Sequence, residues 1–317
     1  LPLGMGSTML GLILLALARD YTMVLVSAAL VGVGSSIFHP EASRIARLAS
    51  AGKHGLAQSI FQMGGTVGTS VGPLLAAVLI LPLGQISVLA VSLIALVGIA
   101  ILWRVSRWYL VHISTPVGRA ALAPHDNGLS PQRVRLTLFL LVLLLFSKFA
   151  YVASLSSYFT FYLMDRFSLS AQSAQYCLFV FLLGTAIGTL IGGPLGDRVG
   201  RQRIILVSIL GSAPATLLLP HVGLTATVIL VFFIGMILAS AFPAIVVYGQ
   251  ELMPGKTGTI SGLFFGLAFG FGGLGAAAIG TLADISSIER VYELCAWLPL
   301  LGLVALGLPD MRRRQSA

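Results

Sequence analysis

A lysine in the middle of a long apolar run is the residue best placed to do chemistry in this sequence. Lys148 lies well inside the apolar stretch 136–163, far beyond the basic flank that ends at Arg135. An ionisable side chain at such depth is expensive and marks function by default. At helical spacing its face continues through Tyr151, Leu155, Tyr158 and Tyr162. An ammonium beside phenol hydroxyls suits an anionic, phosphonate-like group, while pairing with a carbonyl or acid of a neighbouring helix is the structural alternative. Gln58 and Gln62 are four residues apart and share a helix face. They can hydrogen-bond a ligand in a cavity or join helix to helix. His39 and Glu41, in His39-Pro40-Glu41-Ala42-Ser43-Arg44, close an apolar run at its rim and could titrate, or serve as a cap or gate.

A second constellation is compact and polar. The stretch from Gly193 to Arg203 places Gly193, Asp197, Arg198, Gly200, Arg201 and Arg203 between two long apolar runs. Glycine permits the tight turn, Asp197 can satisfy free N–H groups at a helix start, and the arginines resist entry into lipid. Glu251 ends a later apolar run and is expected to pair with Arg198 or Arg201.

Positioning these residues is the work of an apolar helical scaffold. The chain of 317 residues is 57% hydrophobic and 9% charged, with a mean hydropathy of +0.99. Soluble domains carry roughly 25% charged residues. Apolar runs near 20 residues cross a hydrocarbon core of about 30 Å as helices. The fold class is therefore all-α and polytopic, with the lipid bilayer as solvent. Ten spans are predicted, near 3–18, 21–38, 56–80, 86–106, 136–163, 172–195, 204–219, 224–248, 258–282 and 290–308.

Links between spans alternate sides, so the 19 basic residues sort by side. One side collects Arg44, Arg47, Lys53, Arg104, Arg107, Arg119, Arg133, Arg135, Arg198, Arg201, Arg203, Lys256 and Arg312 to Arg314. The other holds only Arg19, Arg166 and Arg290. The rich side is expected to be cytoplasmic, with both ends of the chain there. This distribution also removes nucleic acid as the reason for the net charge of +9. The longest link, 108–135, contains Pro116, Pro124, Asn127, Gly128 and Pro131 and reads as a flexible linker between helical bundles at 1–107 and 136–317.

An internal repeat sharpens that division. An offset of 203 residues places Gly32 on Gly235, Pro40 on Pro243, Gly52 on Gly255, Lys53 on Lys256, Gly55 on Gly258, Phe61 on Phe264 and Gly72 on Gly275. It also sets Gln250 opposite Arg47. The offset pairs spans 1 to 4 with spans 7 to 10 and leaves spans 5 and 6 without counterparts, so ten of twelve helices are expected here. Glycines recur every four residues at Gly64, Gly68 and Gly72, at Gly184 to Gly200, and at Gly258 to Gly270. Such rows allow close or sliding helix contact.

The pattern G-x-x-x-D-R-x-G-R-x-R at Gly193–Arg203 resembles the signature loop of the major facilitator superfamily. Gly68-Thr69-Ser70-Val71-Gly72-Pro73 resembles an element of its drug/proton antiporters. The stretches 35–44, 54–62, 156–164 and 261–266 resemble the fosmidomycin-resistance family of bacterial exporters. The resemblance implies a monomeric inner-membrane exporter that exchanges protons for fosmidomycin or a related small anion by alternating access. It implies that Asp197 meets the start of the helix beginning near Gly55. A facilitator or symporter for a small organic anion, or an inactive truncated remnant, is the alternative.

Enzyme chemistry has no foothold. The five histidines are scattered, and Cys177 and Cys295 sit in apolar runs that suit packing. No metal-ligand spacing or nucleotide loop is found, so no cofactor is expected. No Asp or Glu lies at mid-membrane in the ten spans.

Overall fold

The computed structural model describes residues 1–75, 79–115 and 128–311. The middle of the expected linker, 116–127 with Arg119, lies outside the described residues, as do Arg312, Arg313 and Arg314 and the side chains of Ser70 and Pro73. Ten principal helices run through the described chain: α1 (Pro2–Ala16), α2 (Tyr21–Ala49), α3 (His54–Leu75), α4 (Gln85–Ile113), α5 (Pro131–Phe167), α6 (Ala171–Val199), α7 (Arg201–His221), α8 (Leu224–Leu252), α9 (Thr257–Ile285) and α10 (Ile288–Gly307). Eight of them are long and apolar enough to cross a membrane; α1 is apolar but has 15 residues, and α3 is the glycine-rich, glutamine-bearing member.

Local chemistry explains the ends. Side chains of Asp20, Ser130, Ser170 and Ser287 accept from the backbone N–H three residues on, capping α2, α5, α6 and α10. Gly200 has φ +108 at the turn between α6 and α7, a conformation L side chains resist. Three helices break just ahead of a proline: α7 at Gly211-Ser212 before Pro214, α8 at Ser240 before Pro243, and α10 at Ala296-Trp297 before Pro299, beyond which it continues as a 3-10 helix. Each ring lacks an N–H and pushes away the carbonyl one turn earlier. Pro40, the repeat partner of Pro243, is accommodated inside an unbroken α2. That helix runs past its expected end at 38 as far as Ala49, because a polar segment continues it beyond the apolar run.

Tight glycine contacts set the helix spacing. A β-carbon at Gly184, Gly188 or Gly192 of α6 would collide with the α8 backbone at Phe232, Met236 or Ser240. The row therefore brings two backbones together, as small-residue faces do in lipid. Around this pair, α5 to α10 enclose two cores, one with Leu141, Leu145, Ile205, Ile245 and Phe264, the other with Leu155, Phe159, Tyr162, Phe181 and Tyr292. Helices α1, α2 and α4 pack on one another, and α2 and α3 meet α6, α8 and α9.

The molecule has two unlike ends. At the basic end Arg47 reaches Gln250 and Arg133 reaches the Gly307 carbonyl. At the far end Gln85 donates to the Leu15 and Ala18 carbonyls, and Arg166 pairs with Glu289 at 2.9 Å. Near the basic end α3 touches α6 backbone to backbone at Gly55 and Gly193, and a β-carbon on Gly262 of α9 would meet Pro40 of α2 at 3.5 Å. Further along, a β-carbon would meet nothing within 4 Å at Gly64, Gly65, Gly68 or Gly72 of α3, nor at Gly266, Gly270, Gly272 or Gly273 of α9. Among the described residues these contacts lie near the basic end, and the glycine faces further along α3 and α9 meet no neighbour.

Candidate gate and substrate cavity

The basic end is held by charge placed on a helix start. Helix α3 begins at His54, so the N–H groups of Gly55 and Leu56 have no partner within it. They donate to Asp197 Oδ1 at 2.9 Å and Oδ2 at 3.0 Å. The carboxylate thus caps the positive end of α3 from across the bundle, 142 positions away in sequence. Arg201 Nη2 donates to Asp197 Oδ1 at 2.9 Å and pairs with Glu251 Oε1 at 3.0 Å. The Arg201 and Glu251 side chains are each 11% exposed. For an ion pair so enclosed, losing one partner costs on the order of 3–5 kcal/mol, because the survivor stays buried and uncompensated.

Backbone contact completes this seam. Ser59 Oγ accepts from the Gly193 N–H at 2.9 Å, and a β-carbon on Gly193 would collide with the Gly55 carbonyl. Arg198 and Arg203 lie exposed at its rim. His54, in the turn ahead of the apolar part of α3, is pushed down to about 4 by burial, with Arg47 and Arg201 adding to the effect. Its neutral ring lies 2.6 Å from the Ser50 hydroxyl through Nδ1.

One layer deeper, uncharged side chains from four helices form a knot. Arg47 of α2 can only donate, so Gln250 of α8 turns Oε1 toward it, at 3.3 Å. Gln250 Nε2 then donates to Ser261 Oγ of α9 at 2.8 Å and to Ser43 Oγ of α2 at 3.1 Å. Ser43 in turn donates to Gln58 Oε1 of α3 at 2.8 Å. Among the described residues this leaves Gln58 Nε2 buried with no partner, as is Nε2 of Gln62 one turn along. An unpaired buried donor costs about 1–3 kcal/mol.

Lys148 is buried at 5% exposure, with Nζ 4.8 Å from the Phe149 ring centroid and 5.0 Å from that of Phe242. Ring faces attract an ammonium, and among the described residues no ion pair involves Lys148. The tyrosine row separates from it. At about 1.5 Å rise per residue, Tyr158 and Tyr162 lie some 15 to 20 Å further along α5. Tyr158 donates to the Ala276 carbonyl at 2.8 Å, Tyr162 stacks on Tyr292 at 4.2 Å, and Tyr151 is wholly buried in the second core. The ring faces nearest its ammonium belong to Phe149 and, from α8, Phe242, while the tyrosines continue along α5.

His39 stands on the other side of the same aromatic layer. Its ring lies 5.2 Å from Phe265 and 5.1 Å from Phe269, and Phe265 is 5.1 Å from Phe242. A cavity of about 370 Å³ between α2 and α9, lined by Ser35, Ser36, Pro40, Gly262, Phe265 and Phe269, opens beside it. Glu41 sits at the rim, 3.8 Å from Arg44. Among the described residues no His, Cys, Asp and Glu group could hold a metal ion. Sequence reasoning passed over Ser43, Ser261 and Phe242. The 203-residue offset carried a signal for two of them, since it superposes Gln58 on Ser261 and His39 on Phe242, and none for Ser43.

Known proteins resemble the chain throughout. The sequence profile of the Major Facilitator Superfamily matches residues 1–310. The chain is 56% identical over 314 residues to the "Fosmidomycin resistance protein" of Escherichia coli, covering 99% of the chain and 77% of that protein. It is 40% identical over 318 residues to the "Uncharacterized MFS-type transporter YfnC" of Bacillus subtilis, covering 99% and 78%. Among solved structures, the fucose transporter FucP in an outward conformation superposes with a TM-score of 0.69 at 17% identity, covering 98% of this chain and 82% of that one. The human organic anion transporter MFSD10 superposes with a TM-score of 0.76 at 16% identity, covering 97% and 76%.

Proposed function

From the premise that this chain belongs to the Major Facilitator Superfamily and is a membrane transporter, we propose that it exports fosmidomycin, or a related small anion, in exchange for protons. The observation that carries the substrate is the 56% identity over 99% of the chain to a protein named for fosmidomycin resistance. Lys148 supports it: a buried ammonium surrounded by ring faces is a ready partner for a phosphonate. In this reading Lys148, Gln58 and Gln62 form the substrate site, and Tyr151, Tyr158 and Tyr162 hold α5 against its neighbours. His39 and Glu41 are the coupling groups.

The transporter works by alternating access between bundles at 1–107 and 136–317, with 108–135 joining them. It is a monomer in the bacterial inner membrane, and its basic end, with both ends of the chain, faces the cytoplasm. Gly193, Asp197, Arg198, Gly200, Arg201, Arg203 and Glu251 form the cytoplasmic gate. The described state is then closed to the cytoplasm, with its glycine-lined faces parting toward the outside.

Drug sensitivity tests the reading. Cells expressing the protein should tolerate several-fold more fosmidomycin, and Lys148→Ala should abolish the gain at unchanged membrane level. Sensitivity equal to that of empty cells would remove this substrate. Collapse of the proton gradient should raise fosmidomycin retention; retention unaffected by the gradient would remove proton exchange.

A further inference from the structure

Hydrogen bonds, one ion pair and one step along α8 join the gate and the substrate site into a ring. Starting from the head of α3, Asp197 holds the Gly55 and Leu56 amides, Arg201 links Asp197 to Glu251, and Gln250 is the next residue along α8. Gln250 is fixed by Arg47, holds Ser43 and Ser261, and Ser43 returns to α3 at Gln58. The ring leaves α3 at its first turn and rejoins it one turn later. Two of its pairs, Arg47 with Gln250 and Gln58 with Ser261, are related by the 203-residue offset, so it straddles the axis between the two repeats.

Gln58 is the member with one hand free. Its carbonyl oxygen is committed to Ser43, while its amide nitrogen is buried, at 2% residue exposure, without a partner among the described residues. Gln62 offers a second buried amide nitrogen on the same face. Two N–H donors one helical turn apart, with no acceptor of their own, match the oxygens of a phosphonate or similar oxyanion.

We propose that Gln58 and Gln62 form an oxyanion subsite whose occupancy is read by the gate, because the amide that grips the ligand is the one that Ser43 ties to the gate ring. The inference rests on the anion-export reading and adds its regulation. A ligand oxygen drawing the Gln58 amide toward itself lengthens the bond to Ser43. Loss of that bond frees the α2–α3 side of the knot from Gln250. Release of the basic end is thereby biased toward the loaded state.

The three side chains separate the claims. Cysteines replacing the exposed Lys53 and Lys256, one beyond each half of the seam, carry spin labels that report its width in the protein reconstituted in lipid nanodiscs. Ser43→Ala cuts the tie together with the bond from Gln250 but leaves both glutamine amides in place, so it should widen the label distance without ligand and keep fosmidomycin affinity within about threefold. Gln62→Leu removes only a donor, so it should weaken fosmidomycin at least about tenfold and leave the ligand-free distance unchanged. Gln58→Leu should move both readouts. A Ser43→Ala protein with the wild-type distance, or a Gln58→Leu protein with wild-type affinity, overturns the proposal. Methylphosphonate serves as a second probe: wild-type protein that binds it but not fosmidomycin refutes the substrate and keeps the subsite. Wild-type protein that binds neither refutes the subsite.

Discussion

Asp197 shows how much a single carboxylate can be asked to do. It terminates the N–H groups of α3 in the other half of the repeat and is held from its own half by Arg201. Asp197→Asn keeps one acceptor oxygen but loses the charge. It should favour release of the basic end by more than tenfold, about 1.4 kcal/mol, and slow drug export correspondingly at normal membrane level. An export rate equal to wild type would remove Asp197 from the gate. Exchange of the charges in Arg201 and Glu251 makes a sharper demand. Arg201→Glu alone should abolish export; combined with Glu251→Arg it should recover only in part, since Asp197 then faces a carboxylate. Full recovery would mean that the Arg201–Asp197 contact carries no weight. The contact of Asp197 with the helix near Gly55 was legible in the sequence because a short motif and a constant offset both pointed there. The phenylalanines around Lys148 were not. Phe242 arrives from a helix far away in sequence, and helical periodicity describes one helix at a time.

Helices carry the next level of argument, and here equal spacing conceals unequal roles. The rows at Gly184–Gly192 and Gly64–Gly72 have the same four-residue period, yet one is pressed on α8 and the other meets nothing. Gly188→Leu should therefore destabilise the folded protein by about 1–3 kcal/mol or more, seen as reduced yield and a lower unfolding temperature. Gly68→Ala should stay within about 0.5 kcal/mol. Equal effects at both positions would contradict the packing described. No sequence pattern separates the two rows, because the difference lies in which partner each face meets. The helix breaks were better marked. Pro214, Pro243 and Pro299 each announce one, while Pro40 shows that tertiary packing can hold a helix straight through the same residue.

At the scale of the whole molecule, the asymmetry of charge and the asymmetry of packing coincide. The end rich in arginine is the end where the helices close, so orientation and conformational state are one question. A cysteine at Lys53 or Lys256 should react with a membrane-impermeant maleimide only from the cytoplasm, and one at Arg290 only from outside. The reverse pattern would invert the proposed orientation. The ten helices were legible from hydropathy, since it is a sum over many residues and tolerates local error. Which half touches which depends on a few glycines and serines, whose individual signals are weak.

The seam between Gly55 and Gly193 has a last consequence, for drug resistance in the pharmacological sense. Here two main chains lie against each other with no side chain between them. Where backbone meets backbone mutation has little to change, because a side chain added at either glycine props the seam apart. A compound that wedges this contact would meet a binding surface that the transporter cannot edit and still close.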